Sequence, residues 1–205
     1  MKLYLSSYQY GDEFEKYLEM VGEGGNVAVI DNSRDGFDET RKDARTQECI
    51  EHLGSLGLDA SKLDLRNYFG KKDELANVLS GFGGIWLLGG NAFVLRKAYE
   101  QTGLNETLPE LLNSGLAYGG FSAAGCVLSP SLRGIELVDD VHLHSDGYTK
   151  ETIWEGLGVL DYAFVPHYKS DHPESADVDK YVEYLEQHNM PYRTLHDGEA
   201  IVVDE

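Results

Sequence analysis

Positive charge is scarce in this sequence: 17 Lys and Arg stand against 36 Asp and Glu in 205 residues, a formal net charge of −19. Neutralising nucleic-acid phosphates takes clustered Lys and Arg, so the balance argues against a nucleic-acid partner and equally against an anionic membrane surface. Charge of this size bears on solubility and association, not on fold. Cysteine is scarce too. Cys49 and Cys126 are the two present, too few for a disulfide framework or a four-cysteine zinc site. Long apolar runs are missing, with nothing near the roughly 18 uncharged residues of a membrane helix. Met1-Lys2-Leu3-Tyr4-Leu5 reads straight into a strand, without the charged lead, apolar stretch and cleavage site of a signal peptide. The expectation is a cytoplasmic protein.

What is present suffices for a core: 41% of residues are hydrophobic and 11% aromatic, and the length fits one domain. Short apolar runs alternate with longer amphipathic ones. Strands are expected at 3–7, 26–31, 63–68, 84–88 and 116–120, with helices at 12–21, 37–56, 72–79, 92–101, 108–114 and 123–128 between and after them. Beyond these, 135–138 and 160–165 read as strands and 176–188 as a helix. Tyr192–Leu195 and Ala200–Val203 read as a terminal hairpin around His196-Asp197-Gly198. Strand–helix alternation implies a mostly parallel sheet covered on both faces, with ligands outside the carboxyl ends of the strands.

Three loops at those ends carry chemistry. In Tyr118-Gly119-Gly120-Phe121-Ser122-Ala123-Ala124-Gly125-Cys126, an apolar strand runs into a serine among small residues and a helix starts at once. That is the requirement of a nucleophile elbow, whose sharp turn exposes the serine oxygen and tolerates little beyond Gly or Ala two residues to either side. Ala124 stands where the second glycine of G-x-S-x-G would be. The Ala123 amide would face developing negative charge. A glycine–serine turn that only caps a helix shares this spacing. In Leu87-Leu88-Gly89-Gly90-Asn91, paired glycines allow close backbone approach and offer the Gly90 amide as a second oxyanion donor; a glycine turn capped by Asn91 is the plainer reading. Val165-Pro166-His167 sets a histidine at a strand's carboxyl end, where a general base is useful. Between serine and histidine, Glu136, Asp139, Asp140, Asp146 and Asp161 are the candidate acids to orient it.

The three segments, in this order, resemble those of the aspartyl dipeptidase (peptidase E) family of serine peptidases, relatives of cyanophycinase. The resemblance implies a single domain over 1–205, an α/β three-layer sandwich of the flavodoxin-like, class I glutamine amidotransferase-like type, ending in a β-hairpin. It implies Ser122 as nucleophile, His167 as base, Gly90 and Ala123 as oxyanion donors and Asn91 as a substrate contact. The family's acid falls just past Ser129-Pro130-Ser131-Leu132-Arg133, and Glu136 is the residue at or next to that place. The implied reaction is cleavage of small peptides through an acyl-enzyme, N-terminal aspartyl dipeptides among them, with no metal or cofactor, by a monomer or homodimer. A basic residue for a substrate carboxylate is not evident; Arg96, Arg133 and Lys169 are candidates. The alternatives are an esterase or amidase with another substrate, and a non-catalytic or regulatory protein on the same fold.

Overall fold

The computed structural model describes residues 1–204. Its main sheet joins β1 (Lys2–Ser6), β2 (Asn26–Ile30), β3 (Asp59–Lys62), β4 (Gly84–Leu87), β5 (Ala117–Phe121) and β8 (Ala200–Asp204) in the order β3-β2-β4-β5-β1-β8. All neighbours run parallel except β8, which is antiparallel to β1. A second, two-stranded sheet pairs β6 (Ala163–Val165) in parallel with β7 (Tyr192–Thr194). The helices are α1 (Glu15–Val21), α2 (Glu39–Ser55), α3 (Lys72–Leu79), α4 (Ala92–Thr102), α5 (Leu104–Asn113), α6 (Ala123–Cys126) and α7 (Ser175–Gln187).

Apart from Lys2, Ser6 and Asn26 at strand ends, the inner strands are apolar because both faces are covered. Alternate residues go to opposite sides: Leu3, Leu5, Ala28, Ile30, Ile85 and Leu87 join one core with α3 to α7. Tyr4, Val27, Val29 and Trp86 join the other with α1 and α2. On that second side Trp86 packs against Tyr17, Phe14 and Tyr10 at ring separations of 4.9, 5.0 and 5.6 Å. Each such ring contributes about 1.5–3 kcal/mol by leaving water. Among the described residues, no helix is long and apolar enough to cross a membrane.

Three expected elements differ. The third strand is Asp59–Lys62, not 63–68. Asp64 turns the chain by accepting the Arg66 N–H, and residues 65–68 form a 3-10 turn. The true strand is a polar sheet edge, legible only through its pairing with β2. Residues 135–137 are a 3-10 turn instead of a strand, entered through Gly134 at φ +94°. The last two strands form no hairpin with one another: β7 pairs with β6 and β8 with β1.

Beneath the carboxyl end of β2 lies a buried ion cluster. Lys42 of α2 has no exposed side-chain surface and sits between Asp31 and Asp35, which are equally buried. Thr46 Oγ1 donates to Asp31 Oδ2 (2.7 Å) and Lys62 Nζ lies 2.9 Å from the same oxygen. Asn32 Nδ2 donates to Asp35 Oδ2 (2.7 Å), which also accepts from the Tyr148 hydroxyl. Replacing Lys42 by Met would leave two buried carboxylates without their shared cation. The expected loss is about 3–5 kcal/mol of folding stability, read from urea denaturation at neutral pH.

Candidate active site

The end of β5 supplies Ser122. Its backbone sits at φ 53°, ψ −109°, a left-handed conformation that costs a non-glycine residue energy and is held only by its surroundings. Those surroundings are close. Ser122 N donates to Ser6 O (3.2 Å), and Ser122 O accepts from Gly125 N and Cys126 N (2.9 and 3.1 Å), which starts α6 directly after the strand. A side chain at Gly120 would meet the Ala124 Cβ at 2.6 Å. Strand and helix therefore cross at a distance that glycine on one side and alanine on the other can meet, which explains how Ala124 serves in place of glycine. From below, the Tyr118 hydroxyl donates to Ala124 O (2.9 Å).

Beside the elbow runs Gly89-Gly90. A Cβ on Gly89 would fall 2.6 Å from the Phe121 ring and 3.2 Å from Ser122 Cβ; one on Gly90 would fall 2.6 Å from Ser33 O. The loop is anchored to the turn after β2, where Ser33 Oγ donates to Leu88 O (2.7 Å) and Ser33 O accepts from Asn91 N (2.8 Å). Arg34 Nε donates to Gly89 O (2.7 Å). Ala123 N, as the first amide of α6, has no carbonyl within its own helix. Asn91 does not offer its side chain to a ligand: it is 2% exposed, its Oδ1 caps Val94 N (3.0 Å) and its Nδ2 donates to Asp140 O (2.8 Å).

His167 follows β6, also with positive φ (59°), and is 2% exposed. Its Nδ1 lies 2.7 Å from Asp197 Oδ1, which directs the Nδ1 proton to the carboxylate and leaves Nε2 as the acceptor. Asp197 Oδ1 also accepts from Ser7 Oγ (2.9 Å), and Ser7 Oγ accepts the His167 N–H (2.8 Å). Asp197 N donates to Ser170 Oγ (2.8 Å). Burial lowers the His167 pKa below its ordinary value, Asp197 opposes that, and His172 adds to it. The imidazole is consequently neutral at pH 7, the form a general base requires. Ser122 and His167 line one small cavity with Cys126, Asp139, Glu174 and Tyr181. Among the described residues, no hydrogen bond joins Ser122 Oγ to His167.

Glu136, expected to orient the histidine, is exposed and turns back to accept the Gly134 N–H (2.6 Å). The 3-10 turn buries Ile135 and points Glu136 outward, so the acid on His167 is Asp197. Sequence order concealed it, because Asp197 lies after the histidine inside an ordinary Asp-Gly turn. The usable signal is the parallel pairing of β6 and β7, whose adjacent carboxyl ends bring 167 and 197 together. Arg96, Arg133 and Lys169 are committed elsewhere, to Glu100 and Glu155 O, to the Trp154 ring, and to the Tyr168 ring. The basic groups beside the site are Arg34 and Arg45. They line a cavity of about 390 Å³ with Tyr8, Tyr10, Leu88 and Phe121, and Tyr8 lies 5.8 Å from His167, ring to ring.

His167, His172 and Glu174 bring possible metal-ligand atoms within 4.8 Å of one another. The two imidazoles are stacked 3.8 Å apart and 11° from parallel, so their in-plane lone pairs do not converge on one ion as they stand. Cys126 is buried, with its thiol pKa raised by that burial.

Residues 39–205 match the model of peptidase family S51. The chain is 30% identical over 147 residues to peptidase E of Streptomyces coelicolor, covering 69% of this chain and 57% of that protein. To an uncharacterized peptidase of Listeria monocytogenes it is 28% identical over 122 residues, 58% of this chain and 55% of the relative. The chain thus spans little more than half the length of these curated relatives. A crystal structure of a Listeria monocytogenes protein assigned provisionally to peptidase E superposes with a TM-score of 0.78 at 24% identity, over 98% of this chain and 93% of that one; it shares the fold.

Asp139 lies at the wall of the serine cavity, its carboxylate accepting the Ala92 N–H (2.7 Å) and its pKa raised to about 7 by burial. A carboxyl that holds its proton more tightly folded than unfolded makes folding less favourable as pH rises between its two pKa values, here from about 4 to about 7. Asp139→Asn keeps an acceptor for Ala92 and removes the titration. Denaturation midpoints followed from pH 4 to 8 should fall less steeply in the variant, which should be the more stable protein at pH 8.

Proposed function

Because the chain belongs to peptidase family S51, we propose that it hydrolyses small peptides by nucleophilic catalysis at Ser122. Ser122 Oγ attacks the scissile carbonyl while His167 Nε2 takes its proton. The same imidazole returns that proton to the leaving amine, and water then cleaves the acyl-enzyme by the reverse sequence. Asp197 acts through His167, fixing its tautomer and stabilising the transient imidazolium. The amides of Gly90 and Ala123 are the oxyanion donors, each worth about 10²–10³ in rate.

One observation carries this reading: a half-buried serine strained into an elbow shares a cavity with a buried, neutral histidine whose far nitrogen is held by a carboxylate. No structural demand accounts for that combination, since a capping serine needs no positive φ and a core histidine needs no cavity.

The cavity next to the elbow supports acidic N-terminal residues as substrates. Arg34 spends its Nε on Gly89 O, and its guanidinium pKa is lowered by burial and by Arg45. An entering carboxylate would relieve both penalties. At a net charge of −19 the far field opposes an anionic substrate, but salt screens that field within about 10 Å at 0.1 M, whereas Arg34 acts at contact.

A fluorophosphonate serine probe should label the wild type and fail on Ser122→Ala; an intact wild type that resists labelling sinks the enzyme reading. With Asp-X, Glu-X and neutral dipeptides, Asp197→Asn should lower kcat/KM by about 10²–10⁴-fold and Glu136→Gln should leave it unchanged. The wild-type pH profile should rise to a plateau with a midpoint below about 6.5, and Asp197→Asn should shift that midpoint to lower pH. Arg34→Met should raise KM for Asp-X substrates about tenfold or more while sparing neutral ones. Turnover confined to neutral dipeptides would remove the acidic specificity and leave the hydrolase.

A further inference from the structure

Away from the serine centre, residues 139–150 form a strap across α4. One end is tied by Ala92 N to Asp139 Oδ2 and Asn91 Nδ2 to Asp140 O. The other is tied by Gln101 Nε2 to Gly147 O and Thr149 N to Gln101 Oε1, both 2.8 Å. Between these anchors, strap and helix border an open cavity of about 290 Å³ lined by Lys97, Val141, His142, His144 and Lys150.

Lys97 is the unusual member. It is 3% exposed, yet makes no hydrogen bond or ion pair with any described residue. Its stem is buried while its ammonium faces the cavity unpaired, and a partly desolvated charge ordinarily finds a partner. Burial alone lowers its pKa, with no carboxylate near enough to oppose it. Two of the strap's acids are engaged elsewhere: Asp139 accepts from Ala92 and Asp140 from the His142 backbone N–H (2.8 Å). In a chain with twice as many acids as bases, this wall carries two lysines, two histidines and no acid.

We propose that this cavity is a second ligand site, separate from the serine centre, which takes a small metabolite bearing a phosphate or carboxylate group. Lys97 meets the anion at the floor, Lys150 closes over it from the rim, and the imidazoles of His142 and His144 offer further hydrogen bonds. The volume is that of a metabolite-sized site at the small end of the range. Occupancy joins the strap to the middle of α4, the helix whose first turn follows the Gly89-Gly90 loop.

Calorimetric titration at fixed ionic strength tests this with three probes: inorganic phosphate, phosphoserine and succinate. Saturable one-to-one binding of at least one is expected, and the tightest arm tells a free phosphate ion from a phosphate ester or a carboxylate. Lys150→Ala should weaken it about tenfold, the loss typical of one charge-assisted hydrogen bond, and Lys97→Met should abolish it. Ser122→Ala and Arg34→Met should bind as the wild type does. The proposal fails if the wild type binds none of the three. It also fails if binding survives both lysine substitutions, or disappears in Arg34→Met, which would locate it in the peptide site. Lys97→Met exchanges an unpaired charge facing the cavity for an apolar side chain of similar length and should fold. Should circular dichroism show otherwise, Lys150→Ala combined with His144→Ala, both at exposed positions, gives the same reading.

Discussion

The geometry at the reactive end of the sheet depends on a single buried cation. Lys42 enters from α2 and is enclosed by Asp31 and Asp35, so the turn after β2 can move only by separating charges inside a dry interior. Asn32 ties that turn to the next by accepting Leu65 N (2.9 Å), and Tyr148 ties it to the strap. With residues 31–35 immobilised, Ser33 becomes a fixed post to which Leu88 and Asn91 attach. The distance between the glycine pair and Ser122 follows from that attachment. A charge cluster away from Ser122 thus helps to hold the Gly89-Gly90 loop in place.

The site is assembled from two sheets. The six-stranded sheet presents Ser122 and the glycine loop; the two-stranded sheet presents His167 and Asp197. Ser7, at the end of β1, is the joint. Its hydroxyl accepts from the backbone N–H of His167 and donates to Asp197, so the strand beside β5 fixes that pair relative to Ser122. This division agrees with the general placement of ligands at the carboxyl ends of parallel strands.

Some of this was legible in the chain and some was not, for identifiable reasons. Apart from Lys2, Ser6 and Asn26, β1, β2, β4 and β5 are apolar because both faces are buried, and such runs are read directly. Ser122 announces itself through its small neighbours, and His167 through its place at a strand end. β3 has no apolar signal, since an edge strand of Asp, Ala, Ser and Lys is defined by its partner alone. Asp197 and Arg34 were illegible for a related reason: their roles come from pairing between segments distant in sequence. Asn91 shows the opposite failure. The resemblance implies a substrate contact, whereas the plainer reading of a cap is the one the fold uses: Oδ1 caps Val94 N and Nδ2 is held by Asp140 O.

The Asp197 turn lies between β7 and β8, and β8 is the strand that completes the sheet against β1. Asp197 therefore reaches His167 only once β7, late in the chain, has paired with β6. A chain emerging during synthesis, with its early parts folding ahead of its late ones, would display a finished elbow long before it possessed an oriented base. In this topology the contact between His167 and Asp197 is the last part of the candidate site to form.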